Sequence, residues 1–364
     1  MNAPAGYKAT EVGVIPEAWE VKPLGGVCPM QRGFDLPRKR IRPGDVPIVY
    51  SNGPLGTHNQ AMAKAPGIVT GRSGTIGNIH FIERDFWPHN TALWVTSFCG
   101  NVPQFVRYLL DTVDLASLAT GSGVPTLNRN DVHVVRVALP ESPVEQAAIA
   151  EALSDVDEAI ASQEAVIAKK RALKTATMQA LLSATRRLPG FSGEWEVKAL
   201  GQCLKVRHGK SQAAVESVNG KYPILATGGE IGRADAYLHP GPSVLIGRKG
   251  TIDRPQYSEG PFWSIDTLFY TEVDASADAK FLFYKFQMID WRTYNEASGV
   301  PSLSSTTIEA IEVEMPKRDE QTAIAAVISD FDLDLYENEA KLAKLQNLKT
   351  GMMQQLLTGK IRLV

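Results

Sequence analysis

The sequence has little of the chemistry that marks a catalyst. Its 364 residues hold three cysteines, Cys28, Cys99 and Cys203. An odd number without Cys-x-x-Cys spacing argues against a disulfide framework and fits a reduced, cytoplasmic setting. The six histidines show no His-Glu-x-x-His or mixed Cys/His ligand spacing, so no metal is expected. "GKS" at 209–211 lacks the glycine five residues before Gly209 that a Walker A loop needs. No glycine-rich cofactor loop and no Asn/Asp-Pro-Pro-aromatic run is present, and nothing marks a nuclease cluster of carboxylates. The opening "MNAPAGYKATEVG" has no apolar run, so no secretory leader is expected. No stretch approaches 18 apolar residues, so no membrane span is expected either. Excess charge is missing too. Lys and Arg number 38 against 40 Asp and Glu, a net charge of −2, so any affinity for a polyanion must rest on local clusters.

What the sequence does have is a repeat running through the whole chain. "EAWEVKPLG" (17–25) returns as "GEWEVKALG" (193–201), which places Trp19 opposite Trp195 at an offset of 176 residues. At the same offset "VPIVYSNGPLG" (46–56) answers "YPILATGGEIG" (222–232), "GRSGTIG" (71–77) answers "GRKGTID" (247–253), and "SGVPTL" (122–127) answers "SGVPSL" (298–303). Past Pro316 the offset becomes 175: "EQAAIA" (145–150) pairs with "EQTAIA" (320–325), and "LKTATMQALL" (173–182) with "LKTGMMQQLL" (348–357). A repeat of this size is a duplicated domain pair and not a solenoid.

Each copy has two textures. Residues 1–140 and 186–316 are rich in Gly, Pro, Ser and short β-branched or aromatic runs such as "SVLIG" and "DTLFYTEV". These predict short strands joined by turns, with one amphipathic helix each at 102–119 and 279–295. Residues 141–185 and 317–364 are long and helical. Apolar positions step by 4 and 3 through Ile149, Leu153, Val156 and Ile160 to Ile167 and Leu181. The second copy steps through Ile324, Ile328, Phe331 and Leu335 to Leu342, Leu345, Met352 and Leu356. Those steps average the 3.5 residues of a coiled coil. They pass through Gln163 and Asn338, which are either register-setting seam residues or a solvated turn. "SPVE" (142–145) predicts a capping box with Pro at the first turn. Asp319 and Glu320 stand where the dipole of the second helix favours them. The expected fold is α+β: two homologous domains joined by two long antiparallel helices in a coiled coil, related by a pseudo-twofold internal repeat. Forty helical residues span about 60 Å, so the helices would act as a ruler between the domains.

"GYKATEVGVIPEAWEVKPLG", "LPESPVEQAAIAEALSDVDEAI", "MPKRDEQTAIAAVISDFD" and the closing "LKTGMMQQLLTGKIRL" resemble the specificity subunit of type I restriction-modification systems, over essentially the whole chain. The resemblance implies two target recognition domains (1–140 and 186–316) and two spacer helices (141–185 and 317–364). It implies a non-catalytic subunit that binds a bipartite, asymmetric double-stranded DNA target. Two methyltransferase subunits would dock on the spacers and restriction subunits would join them. S-adenosylmethionine and ATP with magnesium would then sit on those partners, with no cofactor on this chain. Two other classes stay open: a methyltransferase with a built-in recognition domain, and a coiled-coil scaffold that never binds DNA.

Donors for DNA should lie on loops of the recognition units. "QRGFDLPRKRIRPGD" (31–45) is the densest basic run, with Arg32, Arg38, Lys39, Arg40 and Arg42. Its counterpart at 207–217 offers Arg207, His208, Lys210, Ser211 and Gln212, with Gly33 and Gly209 aligned. Such loops either face DNA or are simply solvated. "GRSGTIG" and "GRKGTID" read as tight turns whose Arg72 and Ser73, or Arg248 and Lys249, face a phosphate, or whose arginine pairs with a carboxylate of its own domain. The "SGVP" loops at 122–125 and 298–301 read as structural turns. His89, Asn90, Arg254 and Asp266 are lesser candidates. Arg38, Lys39 and Arg40 stand opposite Ala214, Val215 and Glu216 with no gap, so the two units should read different bases. The methylated motif of a host carrying the system should therefore be two unlike half-sites around unspecified bases. A palindromic motif in methylation-sensitive sequencing contradicts this.

Overall fold

The structure is a computed structural model that describes residues 3–121 and 123–363. Ser122, which opens the first "SGVP" loop, lies outside the described residues. The chain divides into two compact units, one made of Met1–Glu164 with Lys341–Val364 and the other of Ala165–Ala340. Helix and sheet are mixed in both. Each unit contains a strand-rich domain, the first part of the long helix that follows it, and the last part of the other long helix.

The repeat is carried into the sheets strand by strand. In the first unit, Met30–Arg32, Ala92–Val95, Gly67–Gly71 and Ile79–Ile82 form a four-stranded antiparallel sheet in that spatial order. In the second unit, Leu204–His208, Leu268–Val273, Ser243–Gly247 and Gln256–Ser258 do the same. A mixed three-stranded sheet accompanies each. Val46–Tyr50 lies between Gly53–His58 and Trp87–Pro88, pairing parallel with the latter (Ile48 opposite Trp87). Tyr222–Ala226 lies between Gly229–Ala234 and Trp263–Ser264 (Ile224 opposite Trp263). The fully buried strands Gly67–Gly71 and Ser243–Gly247 explain why "GIVTG" and "SVLIG" show no alternation: both faces are covered. A two-stranded ribbon closes each domain in the same register, with Glu20 opposite Leu139 and Glu196 opposite Met315. Each ribbon delivers the chain into a long helix, Pro143–Leu182 or Arg318–Leu356.

The helices predicted at 102–119 and 279–295 stop earlier than the periodicity suggested, at Asp111 and Met288. In both places a new turn begins on an aspartate. The Asp114 carboxylate accepts from the Ser117 amide at 3.1 Å, and the Asp290 side chain starts the 3-10 turn Trp291–Tyr294. Asp competes with helix continuation by binding nearby backbone amides.

The predicted capping box at "SPVE" is not what Glu145 makes. That carboxylate is 1% exposed. It accepts from Trp19 Nε1 at 3.3 Å, and it receives both Nε and Nη2 of Arg362, the latter at 2.7 Å. The second unit repeats the pair. Arg187 donates through Nε and Nη2 to Glu320 at 2.5 and 2.6 Å, its guanidinium 5.7 Å from the ring centre of Trp195. Charge-assisted forked bonds of this kind outbid a weaker capping bond. The next residue anchors the domain. Gln146 accepts from the Val102 amide at 2.9 Å, at the start of the helix Pro103–Asp111, and donates to the Pro140 carbonyl at 2.9 Å. Gln321 likewise accepts from the Asp278 amide at 2.9 Å and donates to the Pro316 carbonyl at 2.8 Å. Ile149 and Ile324, at most 1% exposed, continue this face into the core, each worth about 2 kcal/mol in burial.

Further along, a second polar set joins the helix parts within each unit. Tyr108 meets Ser154 and Asp157, whose other oxygen takes Lys349 at 2.7 Å. Tyr284 meets Ser329 and Asp332, whose other oxygen takes Lys174. In the second unit Lys170 pairs with Asp334 while Lys174 pairs with Asp332. One number rises as the other falls, so these helix parts run antiparallel. Lys170 and Lys174 fall on the 4-and-3 steps between Ile167 and Met178, so the seam there is ionic. Gln163 is only 6% exposed and Asn338 is half-buried, which removes the solvated-turn reading. Lys285 has no counterpart in the first unit, where Leu109 stands in its place. Lys285 Nζ donates to the Leu182 carbonyl at 2.7 Å, ending the first long helix, and burial pulls this amine down to about 8.

Arg362→Ala leaves the buried Glu145 with Trp19 alone. The first unit should lose about 3 kcal/mol of stability, the cost of orphaning a buried carboxylate, as a lower midpoint in denaturant unfolding. A midpoint unchanged from the parent chain would show that the pair is not a clamp.

Candidate nucleic-acid interface

The glycine turns and the "SGVP" loops are two sides of one structure. "GRSGTIG" joins the strands Gly67–Gly71 and Ile79–Ile82. Its backbone bonds to the second motif: Gly74 N to Pro125 O at 3.2 Å, and Leu127 N to Arg72 O at 2.7 Å. In the second unit Gly250 N bonds Pro301 O at 2.8 Å and Leu303 N bonds Arg248 O at 3.0 Å. A Cβ on Gly71 would stand 1.5 Å from the Thr75 carbonyl oxygen, and one on Gly247 2.0 Å from that of Thr251. These glycines are therefore required by the turn itself.

The turn arginines do not meet carboxylates. Arg72 Nε donates to the Asn90 backbone carbonyl at 3.1 Å, and Arg248 Nη1 to the equivalent carbonyl of Asp266 at 3.3 Å. Both residues are half-buried, and each guanidinium makes this one side-chain hydrogen bond among the described residues. Lys249 and Arg254 are exposed and form no ion pair among the described residues. Ser73 is fixed by its amide, which donates to the Thr91 carbonyl at 3.1 Å.

The basic loop 31–45 rests on its own small core. Phe34, Ile41 and Tyr50 pack on buried Leu36, Ile48 and Trp87. Inward Phe34, Leu36 and Ile41 leave Asp35, Arg38, Lys39, Arg40 and Arg42 outward. Arg38, Lys39 and Arg40 form one exposed 3-10 turn and make no ion pair among the described residues. Arg42 donates to the Lys39 carbonyl at 3.0 Å, while its amide donates to His58 Nδ1 at 3.1 Å. His58, 5% exposed, holds this loop down; no spacing in the sequence pointed to it. Gly33 and Gly209 let the loops cross a neighbouring strand, since a Cβ there would stand 2.2 Å from the His89 oxygen and 1.9 Å from the Ile265 oxygen.

The loop and the turn share one surface in each unit. In the first, Arg32 Nη2 donates to Asp35 Oδ1 at 3.2 Å, Asn90 Nδ2 donates to the same oxygen, and Arg72 binds the Asn90 carbonyl. Burial lowers the His89 imidazole below its usual value against the pull of Asp35. In the second, the Lys210 amide donates to the Ser264 carbonyl at 2.8 Å and Trp263 Nε1 to the Lys210 carbonyl at 2.9 Å, next to the Asp266 carbonyl that holds Arg248. Lys210 and Ser211 are exposed, and the Gln212 carbonyl accepts two amides at 2.9 Å in the following turn. Two of the named residues are less available than their sequence suggested. Arg207 lies in a strand and pairs across it with Glu272 at 2.8 Å. The His208 ring lies edge-on to Phe269, 4.9 Å between centres.

Residues 16–169 and 192–347 match the family model described as the type I restriction modification DNA specificity domain. The chain is 23% identical over 179 residues to the type I restriction enzyme MjaVIII specificity subunit of Methanocaldococcus jannaschii, covering 45% of this chain and 42% of that protein. It is 25% identical over 145 residues to the EcoprrI specificity subunit of Escherichia coli, covering 38% and 36%. The matches thus span about two fifths of these relatives' length. Among solved structures, an S subunit of a type I restriction-modification system from M. genitalium superposes with a TM-score of 0.72 at 18% identity, over 93% of this chain and 96% of that one. A chain from a study of assembly and conformational transition of the type I system gives 0.56 at 15% identity, over 95% and 99%. At these identities the structural likeness is one of fold.

Arg40→Ala and Lys210→Ala should weaken binding to duplex DNA equally on all sequences, each lowering the slope of log K against log salt by about one unit. Arg207→Ala should do less, since Glu272 already balances it. A changed base preference at constant salt slope would make the residue a base reader instead.

Proposed function

The chain belongs to the type I restriction-modification DNA specificity family, and from that premise we propose that it selects the DNA target of such a complex without performing chemistry itself. Its target is bipartite and asymmetric, one half-site for each unit, read from double-stranded DNA. The observation that carries this reading is the pairing of one backbone frame, held by Gly33, Gly71, Gly209 and Gly247, with unlike polar side chains on its exposed loops. A common frame with differing donors is what two half-sites of different sequence require, because base edges are distinguished by donor and acceptor patterns.

The long helices carry the partners. Leu173 and Leu348, equivalent in the repeat, remain 54% and 51% exposed, and Leu333 and Tyr336 are exposed at 59% and 71%. Exposed apolar side chains on a helix favour protein contacts, and the Leu173 and Leu348 pair gives each long helix one such position at the same point of the repeat. Restriction subunits join that complex. S-adenosylmethionine and ATP with magnesium belong to the partners, and the complex works in the cytoplasm.

The test is reconstitution. Purified chain alone should show no transferase, nuclease or ATPase activity. Adenine methylation of a defined motif should appear on adding the methyltransferase subunit and saturate at two copies per chain. Methylation by the chain alone, or saturation at one copy, overturns the assignment.

A further inference from the structure

Most exposed cations of the first unit are loosely held, but two stand in a built arrangement. Gln31, Arg32, Gly33, Phe34, Asp35 and Arg129 line a shallow cavity of about 360 Å³. Its floor is rigid: the Gly33 amide donates to Ala92 O at 3.0 Å and the Phe34 amide to Pro88 O at 2.8 Å. The Phe34 ring packs edge-on against Trp87, 6.2 Å between centres. Asp35 is oriented from two sides, since Arg32 Nη2 and Asn90 Nδ2 both donate to Oδ1. Oδ2 has no partner among the described residues, and the Asp35 side chain is 68% exposed. Arg129 sits at the start of the short helix Arg129–His133, fixed by the Asn128 side chain accepting from the Asn130 amide at 3.0 Å; it is exposed and forms no ion pair among the described residues.

We propose that Arg32 and Asp35, with Arg129 at the rim, read a guanine–cytosine pair in the major groove of the half-site bound by the first unit. This rests on the DNA-recognition reading above. The major-groove edge of that pair presents guanine N7 and O6 as acceptors followed by the cytosine N4 amine as donor. A guanidinium fork beside a carboxylate oxygen offers two donors followed by an acceptor, the complement of that edge. An adenine–thymine pair presents acceptor, donor, acceptor, which sets its central amine against the fork. The Arg38–Lys39–Arg40 turn has no such orientation and suits phosphates, which fix register without reading sequence. The equivalents of Arg32, Asp35 and Arg129 in the second unit are His208, Ser211 and Ser305, so the second unit lacks this reader. None of the three shows a helix or strand periodicity, and Arg129 lies far from the basic run in the chain; only the fold puts it beside Arg32.

The full-length chain, co-purified with its methyltransferase subunits, selects from a library of randomised duplexes. The parent chain should recover one half-site with a fixed guanine–cytosine pair. Asp35→Asn and Asp35→Ser should lose at least tenfold preference at that one pair, leaving the second half-site intact as an internal control of folding and leaving the salt slope unchanged. A parent motif with no fixed guanine–cytosine pair in either half-site, or one fixed adenine–thymine pair that relaxes instead, overturns the base assignment. An unchanged motif in both variants, loss of both half-sites together, or uniform weakening on all sequences with a lower salt slope shows that Asp35 is not a reader. If the parent complex selects no sequence at all, the DNA-recognition reading itself fails, an outcome distinct from the rest.

Discussion

The structure depends on a buried carboxylate at the start of each long helix. Glu145 and Glu320 are almost completely out of water, and an isolated charge there would be prohibitively costly. Each is matched by a forked arginine from just beyond the end of the other long helix, Arg362 or Arg187. The fork fixes direction as well as charge, because both guanidinium nitrogens must meet both oxygens. The start of one helix and the end of the other are therefore tied together in each unit. The glutamine that follows ties the same point to the domain through the amide at the start of its own helix. Charge pairing and domain anchoring thus converge on two consecutive residues in each copy, and the apolar face begins three residues later at Ile149 and Ile324.

This arrangement gives the Glu-Gln-x-x-Ile-Ala motif a physical meaning. Each residue type answers a separate demand at one crowded place. Glutamate supplies two acceptors for the fork. Glutamine carries both an acceptor oxygen and a donor amide, which suits a free amide on one side and a carbonyl on the other. Isoleucine and alanine supply volume to the core, Ala150 and Ala325 at 3% exposure. The same demands arise in both units, so both copies keep the same answer. The loops face no such demand, and there the copies diverge. Trp195 shows how far a framework position can drift: Trp19 donates to Glu145, whereas the Trp195 ring lies under Arg187 and 5.1 Å from Lys285 Nζ.

The near-neutral net charge does not oppose contact with a polyanion. Acidic side chains are concentrated on the helices, where Asp157, Asp332 and Asp334 pair with lysines. Among the described residues, Arg38, Lys39, Arg40, Arg129, Lys210, Lys249 and Arg254 form no ion pair and are exposed on the strand-rich domains. Charges separated by more than about 8–10 Å are largely screened at physiological salt, so the local surface and not the total decides what is attracted.

The sequence alone determined the duplication, the two textures, the long helices and the places where the domains change to helix. These are local or periodic properties: a fixed offset, a 3.5-residue step, and the absence of Gly and Pro over forty positions all survive in one dimension. It also singled out the loops that carry cations. It did not reveal that Arg207 is matched by Glu272, that Asp35 is held between Arg32 and Asn90, that Arg129 stands beside them, or that His58 secures the basic loop. It placed a capping box where a buried ion pair to residue 362 forms. Each of these was decided by the tertiary structure, for one reason. The hydrogen bonds among them join residues between 3 and 217 positions apart, each at one isolated place in the chain. A single contact leaves no period to detect, and its partner becomes known only when the sheets and helices have brought the two atoms within hydrogen-bond reach.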